Sequence, residues 1–181
     1  MSESISGEAM RFPIQIVALQ AEVPLPGTVK GMGIEVGIKA RLLWPGGVLV
    51  DTKYDDYPEA IRRTKALIAD PTVPAIFEAA LVHHNVLIRV DALERLPDRR
   101  WRLNEVKSST RIKDEHLEEM ALQTYVIVGS GLELADAYLV FIDNQYTKDE
   151  EIDWDALFCR KDVSENVIGV NRGSKRNRVP Q

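Results

Sequence analysis

The chain reads as a single α/β domain, a mixed central β-sheet flanked by helices, and three observations predict this. Helix-period patterns over 31–43 and 57–69 precede a block of apolar, β-prone runs at 75–81, 82–90 and 101–107. A longer helical pattern then runs from Asp114 to Val128. It leads into Ala137–Ile142 (AYLVFI), apolar throughout as a central strand should be. The resulting order is α-α-β-β-β-α-β.

Composition narrows the class further. With 181 residues, 45% of them hydrophobic, the chain suits one domain with a sizeable core. Its formal charge of −5 carries no bulk signal for nucleic acid. Basic residues do gather at the end, where Arg172, Lys175, Arg176 and Arg178 occur without an acid, so 161–181 reads as a basic tail. The single Cys159 excludes an intramolecular disulfide, an iron–sulfur cluster ligated by cysteines and a multi-cysteine zinc site. A reducing, cytoplasmic setting is the matching expectation. No stretch has the apolar core of a signal peptide or the length of a membrane span, so no membrane partner is expected.

Each element has its own justification. The polar residues 1–10 are expected to be disordered, and the domain to occupy 11–160. Phe12–Leu19 reads as an edge strand or packed arm, because Pro13 removes a ladder donor. Pro24, Pro26 and Gly27 mark a loop. Met32, Val36, Ala40 and Leu43 share a helical face that Trp44-Pro45-Gly46-Gly47 ends, and Val48–Asp51 adds a brief strand. In the helix Tyr57–Ala69, the buried face is Ile61, Thr64, Ala66, Leu67 and Ile68, and Pro71 stops it. A hairpin turns near His83-His84-Asn85; adjacent strand residues face opposite ways, so the two histidines read as turn residues rather than a metal pair. Asp114 is the expected N-cap of the main helix, with Leu117, Met120, Ala121, Thr124 and Val128 buried and Gly129-Ser130-Gly131 closing it. A short helix is expected around Trp154–Phe158.

The stretch from Val86 to Ile127 carries the chemistry. Its first apolar run holds Asp91, and the second, after a charged turn at Arg95–Arg100, holds Glu105-Val106-Lys107. Strand residues two apart share a face, so Glu105 and Lys107 project together, and a hairpin brings Asp91 beside them. Taken alone, Glu105 and Lys107 read first as a solvated cross-strand pair on an exposed face, worth under about 1 kcal/mol. Two carboxylates and a lysine in a core, by contrast, need a metal or substrate to compensate them.

In order and placement, IRVDAL (Ile88–Leu93), LNEVKSST (Leu103–Thr110) and EMALQTYV (Glu119–Val126) resemble the PD-(D/E)XK nuclease superfamily. More narrowly they resemble its RecB-like nucleases, including the CRISPR-associated relatives. GIEVGIKARLLWPGG (Gly33–Gly47) is similar to that family's first helix, so the resemblance spans about Gly31 to Tyr146. It implies a restriction-endonuclease-like core and metal-dependent hydrolysis of DNA, by exonuclease or endonuclease action, in a setting such as DNA repair. It further implies Mg²⁺ or Mn²⁺ on Asp91, Glu105 and the carbonyl of Val106, with Glu35 of the first helix as a further ligand. Lys107 would orient or deprotonate the attacking water or stabilise charge, with a lowered pKa, and Gln123 would complete the catalytic set. Glu119 would stand behind them, and Glu78 would face the site or solvent according to register. Ser108, Ser109, Arg111, Lys113 and Tyr125 would contact the nucleic acid.

Two departures stand out. The first helix carries no histidine near Glu35, and position 127, four after Gln123, is Ile where the family has Tyr. Tyr125 is two residues from Gln123 and so on nearly the opposite side of a helix. Two further readings follow: a catalytically silent nuclease-fold module that binds nucleic acid, and a structural subunit of a repair or defence complex. Relatives are often fused to helicases, which implies a protein partner, and closed homo-oligomers occur in the class.

Overall fold

The structure, a computed structural model, describes residues 29–53, 55–143, 145–147 and 153–173. The expectations for residues 1–10, for Phe12–Leu19, for the Pro24–Gly27 loop and for the far end of the basic tail fall on residues outside them.

Local chemistry sets each helix. The first, α1 (Val29–Ala40), runs into a 3₁₀ turn at Arg41–Leu43, and Gly46 at φ +81 ends the segment where the breaker cluster was expected. Strand β1 (Val48–Leu49) follows. Helix α2 (Tyr57–Ala69) starts on Asp56, whose carboxylate accepts the N–H of Glu59. At its other end the Arg95 guanidinium donates to the carbonyls of Leu67, Ile68 and Asp70. Thr64 and Ala60 are its buried residues, and the Thr64 hydroxyl accepts the N–H of Ala80, pinning α2 to the sheet. Ala66, expected inside, is exposed.

Strands β2 (Ala75–His83) and β3 (Val86–Arg95) form a hairpin. Its two turn residues, His84 at φ +46 and Asn85 at φ +64, match the strand twist. That turn geometry stacks the His83 and His84 rings 3.9 Å apart on one side, where simple alternation would separate them. Strand β4 (Trp101–Lys107) lies antiparallel to β3, and α3 (Asp114–Gly129) crosses over to β5 (Leu134–Ile142), parallel to β4. The last elements are α4 (Trp154–Leu157), β6 (Phe158–Asp162) and α5 (Ser164–Gly173). Together the strands make a six-stranded mixed sheet in the order β1-β2-β3-β4-β5-β6. Among the described residues no helix is long and apolar enough to cross a membrane.

Two cores sandwich the sheet. Helices α2, α3 and α5 bury Ala60, Met120, Ile127 and Val167 against Ile76, Val90, Leu93, Leu103 and Leu139. On the other face Ala40 and Trp44, with Trp154 and Leu157 packed beside them, meet Phe77, Ala92 and Val140.

Three expectations change. Lys113, not Asp114, is the residue at the start of α3: the His116 ring accepts the Lys113 N–H at 3.4 Å, so an Asx cap is not used. The buried arc of α3 is His116, Met120, Gln123, Thr124, Val126 and Ile127, while Val128 is 46% exposed. The arc is rotated because α3 packs against α5 as well as the sheet. Finally, the tail begins later than 161. Phe158, Val163 and Val167 are buried, which draws β6 and α5 into the fold.

Candidate active site

The site arises from a break in alternation. Val90 and Leu93 both pack on the α3 side while Ala92 packs on the α1 side, so β3 changes phase between 90 and 92. Its partner does the same, since Ile76 and Ala79 share the α3-side core although they are three residues apart. At the break, Glu78 adopts φ +55, a left-handed conformation that costs a non-glycine residue about 1 kcal/mol. The β2–β3 ladder pairs Phe77 with Ala92 and Ala79 with Val90; between these pairs lie Glu78 and Asp91.

Asp91 also marks where β3 and β4 part. Their register runs from Arg95–Trp101 to Ala92–Asn104 and goes no further. Beyond it the Asp91 carboxylate replaces the missing ladder partner, its Oδ2 accepting the Val106 N–H at 2.8 Å. Opposite stands Glu105, 4% exposed, with both oxygens engaged. Oε1 takes the Lys107 ammonium at 2.8 Å, and Oε2 accepts the Gln123 amide of α3 at 2.8 Å. Lys107 bonds a second carboxylate, Glu119 of α3, at 2.5 Å.

The acids strain against one another. Burial pushes Asp91 well above the ordinary carboxylate range, and the charges of Glu105 and Glu78 add to it, with the Val106 N–H and Lys107 opposing. Burial likewise raises Glu105, Glu119 adding and Lys107 and Gln123 opposing. Lys107 departs from the expectation of a lowered pKa. Burial acts against its charge, but the Glu105 and Glu119 carboxylates outweigh it and hold the ammonium above its ordinary value.

The remaining predicted residues divide. Asp91, Glu105, Val106, Lys107 and Gln123 come together. Ser108, Ser109, Arg111 and Lys113 lie in the loop that leaves β4 directly after Lys107, with Arg111 and Lys113 exposed. Within it the Ser109 hydroxyl donates to the Arg111 carbonyl, and Lys113 pairs with Glu115. Glu35 is exposed on α1; besides Glu105, the acid whose charge Asp91 feels is Glu78. Arg41 and Arg89 face Glu78 at 3.4 and 3.6 Å. Tyr125 is not brought to the site: its hydroxyl meets the His84 ring at 2.7 Å and its ring packs edge-on to His83, over the β2–β3 turn.

Sequence reasoning missed His116. This buried imidazole is held below its ordinary value first by burial and then by the Lys107 charge. The signal was available, because His116, Glu119 and Gln123 recur at i, i+3 and i+7 and so form one polar stripe on α3. Compared with known proteins, the chain matches no family model, and no curated protein matches it.

Among the described residues, no three His, Cys, Asp or Glu side chains are grouped to hold a metal ion. The donor set nonetheless fits a hard divalent cation. Two carboxylates meet with too little positive charge between them, and the Gln123 Oε1, in a side chain 3% exposed, has no partner. Mg²⁺ is commonly held by one or two carboxylates, with waters and substrate phosphate filling its shell.

Proposed function

We propose that this chain is a metal-dependent nuclease that hydrolyses phosphodiester bonds in DNA, of the RecB-like PD-(D/E)XK kind with a restriction-endonuclease-like core. The observation that carries the reading is the meeting of Asp91 and Glu105 where β3 and β4 part, with Lys107 and Gln123 both bonded to Glu105.

In this reading Asp91, Glu105 and the Val106 carbonyl hold Mg²⁺ or Mn²⁺. When bound, the ion supplies Lewis-acid stabilisation of the phosphate and an activated water. Lys107, bonded to Glu105 and Glu119, would orient or deprotonate the attacking water or stabilise negative charge growing on the phosphate. Gln123 fixes Glu105 through its amide N–H and offers its free carbonyl oxygen to a water proton. The hydroxyls and cations of Ser108, Ser109, Arg111 and Lys113, next to Lys107 in the chain, contact the DNA backbone. The assignment to a repair or defence setting, with a helicase-type partner or a homo-oligomer, belongs to the same proposal.

The test is cleavage of labelled linear and circular DNA with Mg²⁺, Mn²⁺ or EDTA, run beside Asp91→Ala and Lys107→Ala. Cutting that needs the metal and falls at least about a hundredfold in both variants supports the nuclease. DNA binding without cutting transfers the reading to a silent nucleic-acid-binding module. Cutting that persists in EDTA contradicts it.

A further inference from the structure

Each Glu105 oxygen already carries a donor. One is bonded to Lys107 and the other to Gln123, so a cation arriving at this carboxylate competes with an ammonium 2.8 Å away. If Lys107 had no other partner, yielding Glu105 to the cation would leave a largely buried ammonium unpaired, at a high desolvation cost. The molecule provides a second partner. Glu119, on the polar stripe of α3 one turn before Gln123, bonds the same ammonium with its Oε2, and its side chain is 25% exposed.

We propose that Glu119 is a positioning residue: it holds the Lys107 ammonium so that Glu105 is free to bind a divalent cation. This rests on the metal-site reading above and deepens it by assigning a role to a carboxylate outside the ligand set. Without Glu119, Lys107 closes on Glu105 alone and becomes a resident competitor of the cation. The role depends on reach as well as charge. An aspartate at 119 keeps the charge but is one methylene too short to bridge to Lys107. Its carboxylate therefore cannot draw the ammonium away.

The test is the Mn²⁺ dissociation constant of the full chain, measured by calorimetry at neutral pH for wild type, Glu119→Gln, Glu119→Asp and Glu105→Gln. Urea unfolding of each in EDTA gives a parallel check on the fold. Both Glu119 variants are expected to bind Mn²⁺ about tenfold more weakly, by similar factors, as substitutions of residues that support ligands do. Their unfolding midpoints should stay near that of wild type. Glu119→Asp binding like wild type while Glu119→Gln weakens would overturn the proposal, because charge alone would then suffice. Unchanged binding in both variants would overturn it too. If wild type fails to bind Mn²⁺, or Glu105→Gln binds it as wild type does, the metal site itself is refuted and this role with it.

Discussion

Asn104 and Glu105 are neighbours on β4, both buried, and they face opposite sides of the sheet into two polar clusters of opposite character. On the α1 side, Asn104 donates to Glu94, which also accepts the Trp44 indole N–H at 3.0 Å. Arg102 forks onto Asp136 at 2.6 and 2.9 Å and lies 3.7 Å from Glu94. There each carboxylate faces donors. On the α3 side, Glu105 and Glu119 share one lysine with Asp91 beside them; after burial, the charges of Glu105 and Glu78 raise Asp91, and that of Glu119 raises Glu105. In the first cluster both carboxylates have an arginine partner, while the buried Asn104 Oδ1 has none, and the cluster reads as structural. The second is short of positive charge, and that shortage is what a cation would relieve.

Three measurements sharpen this contrast. The largest expected effect is that of the cation itself. Mg²⁺ at about a hundred times its dissociation constant should stabilise wild type by roughly 2.7 kcal/mol in urea unfolding and leave Asp91→Asn unmoved. Next, Arg102→Ala should destabilise by about 2 kcal/mol with or without Mg²⁺, since it strands Asp136 in a partly covered site. A Mg²⁺-dependent loss would tie the two clusters together and break the contrast. The smallest effect concerns pH. Folding holds Asp91 and Glu105 above the ordinary carboxylate range, so the native chain binds protons more readily than the unfolded one. Their contribution therefore favours the fold at low pH and weakens as pH rises through the raised values. In EDTA, Asp91→Asn should be more stable than wild type at neutral pH, with the gain vanishing near pH 4. His116 is common to both chains and cancels in the comparison.

Much of this was legible in the chain because local and global signals agreed. Tyr57–Ala69 carries a helix-period apolar face and a proline stop, and it forms a helix over those residues. Glu105, Lys107 and Gln123 were readable as one group because strand and helix periods fix their directions, and Asp91 joined them through the β3–β4 hairpin rather than through its strand's period. Helix phase likewise foretold that Tyr125 and Gln123 would part. The change of phase at Glu78 and Asp91 was not readable, since pattern analysis assumes strict alternation and nothing in FEAAL announces a left-handed glutamate. Nor was β6 evident: only Phe158 of FCRKD is buried, so no alternation shows. The arc of α3 was misjudged because its second partner, α5, was itself unseen.

The most direct test of the central claim sets the two β4 neighbours against each other. Glu105→Gln and Asn104→Ala would be compared for Mg²⁺-dependent DNA cleavage per folded molecule. The account predicts that Glu105→Gln loses cleavage while remaining folded. Asn104→Ala should be less stable by about 1–2 kcal/mol, as loss of a buried hydrogen-bonding group implies, yet cut at the wild-type rate. Cleavage surviving in Glu105→Gln, or lost equally in both, would contradict it.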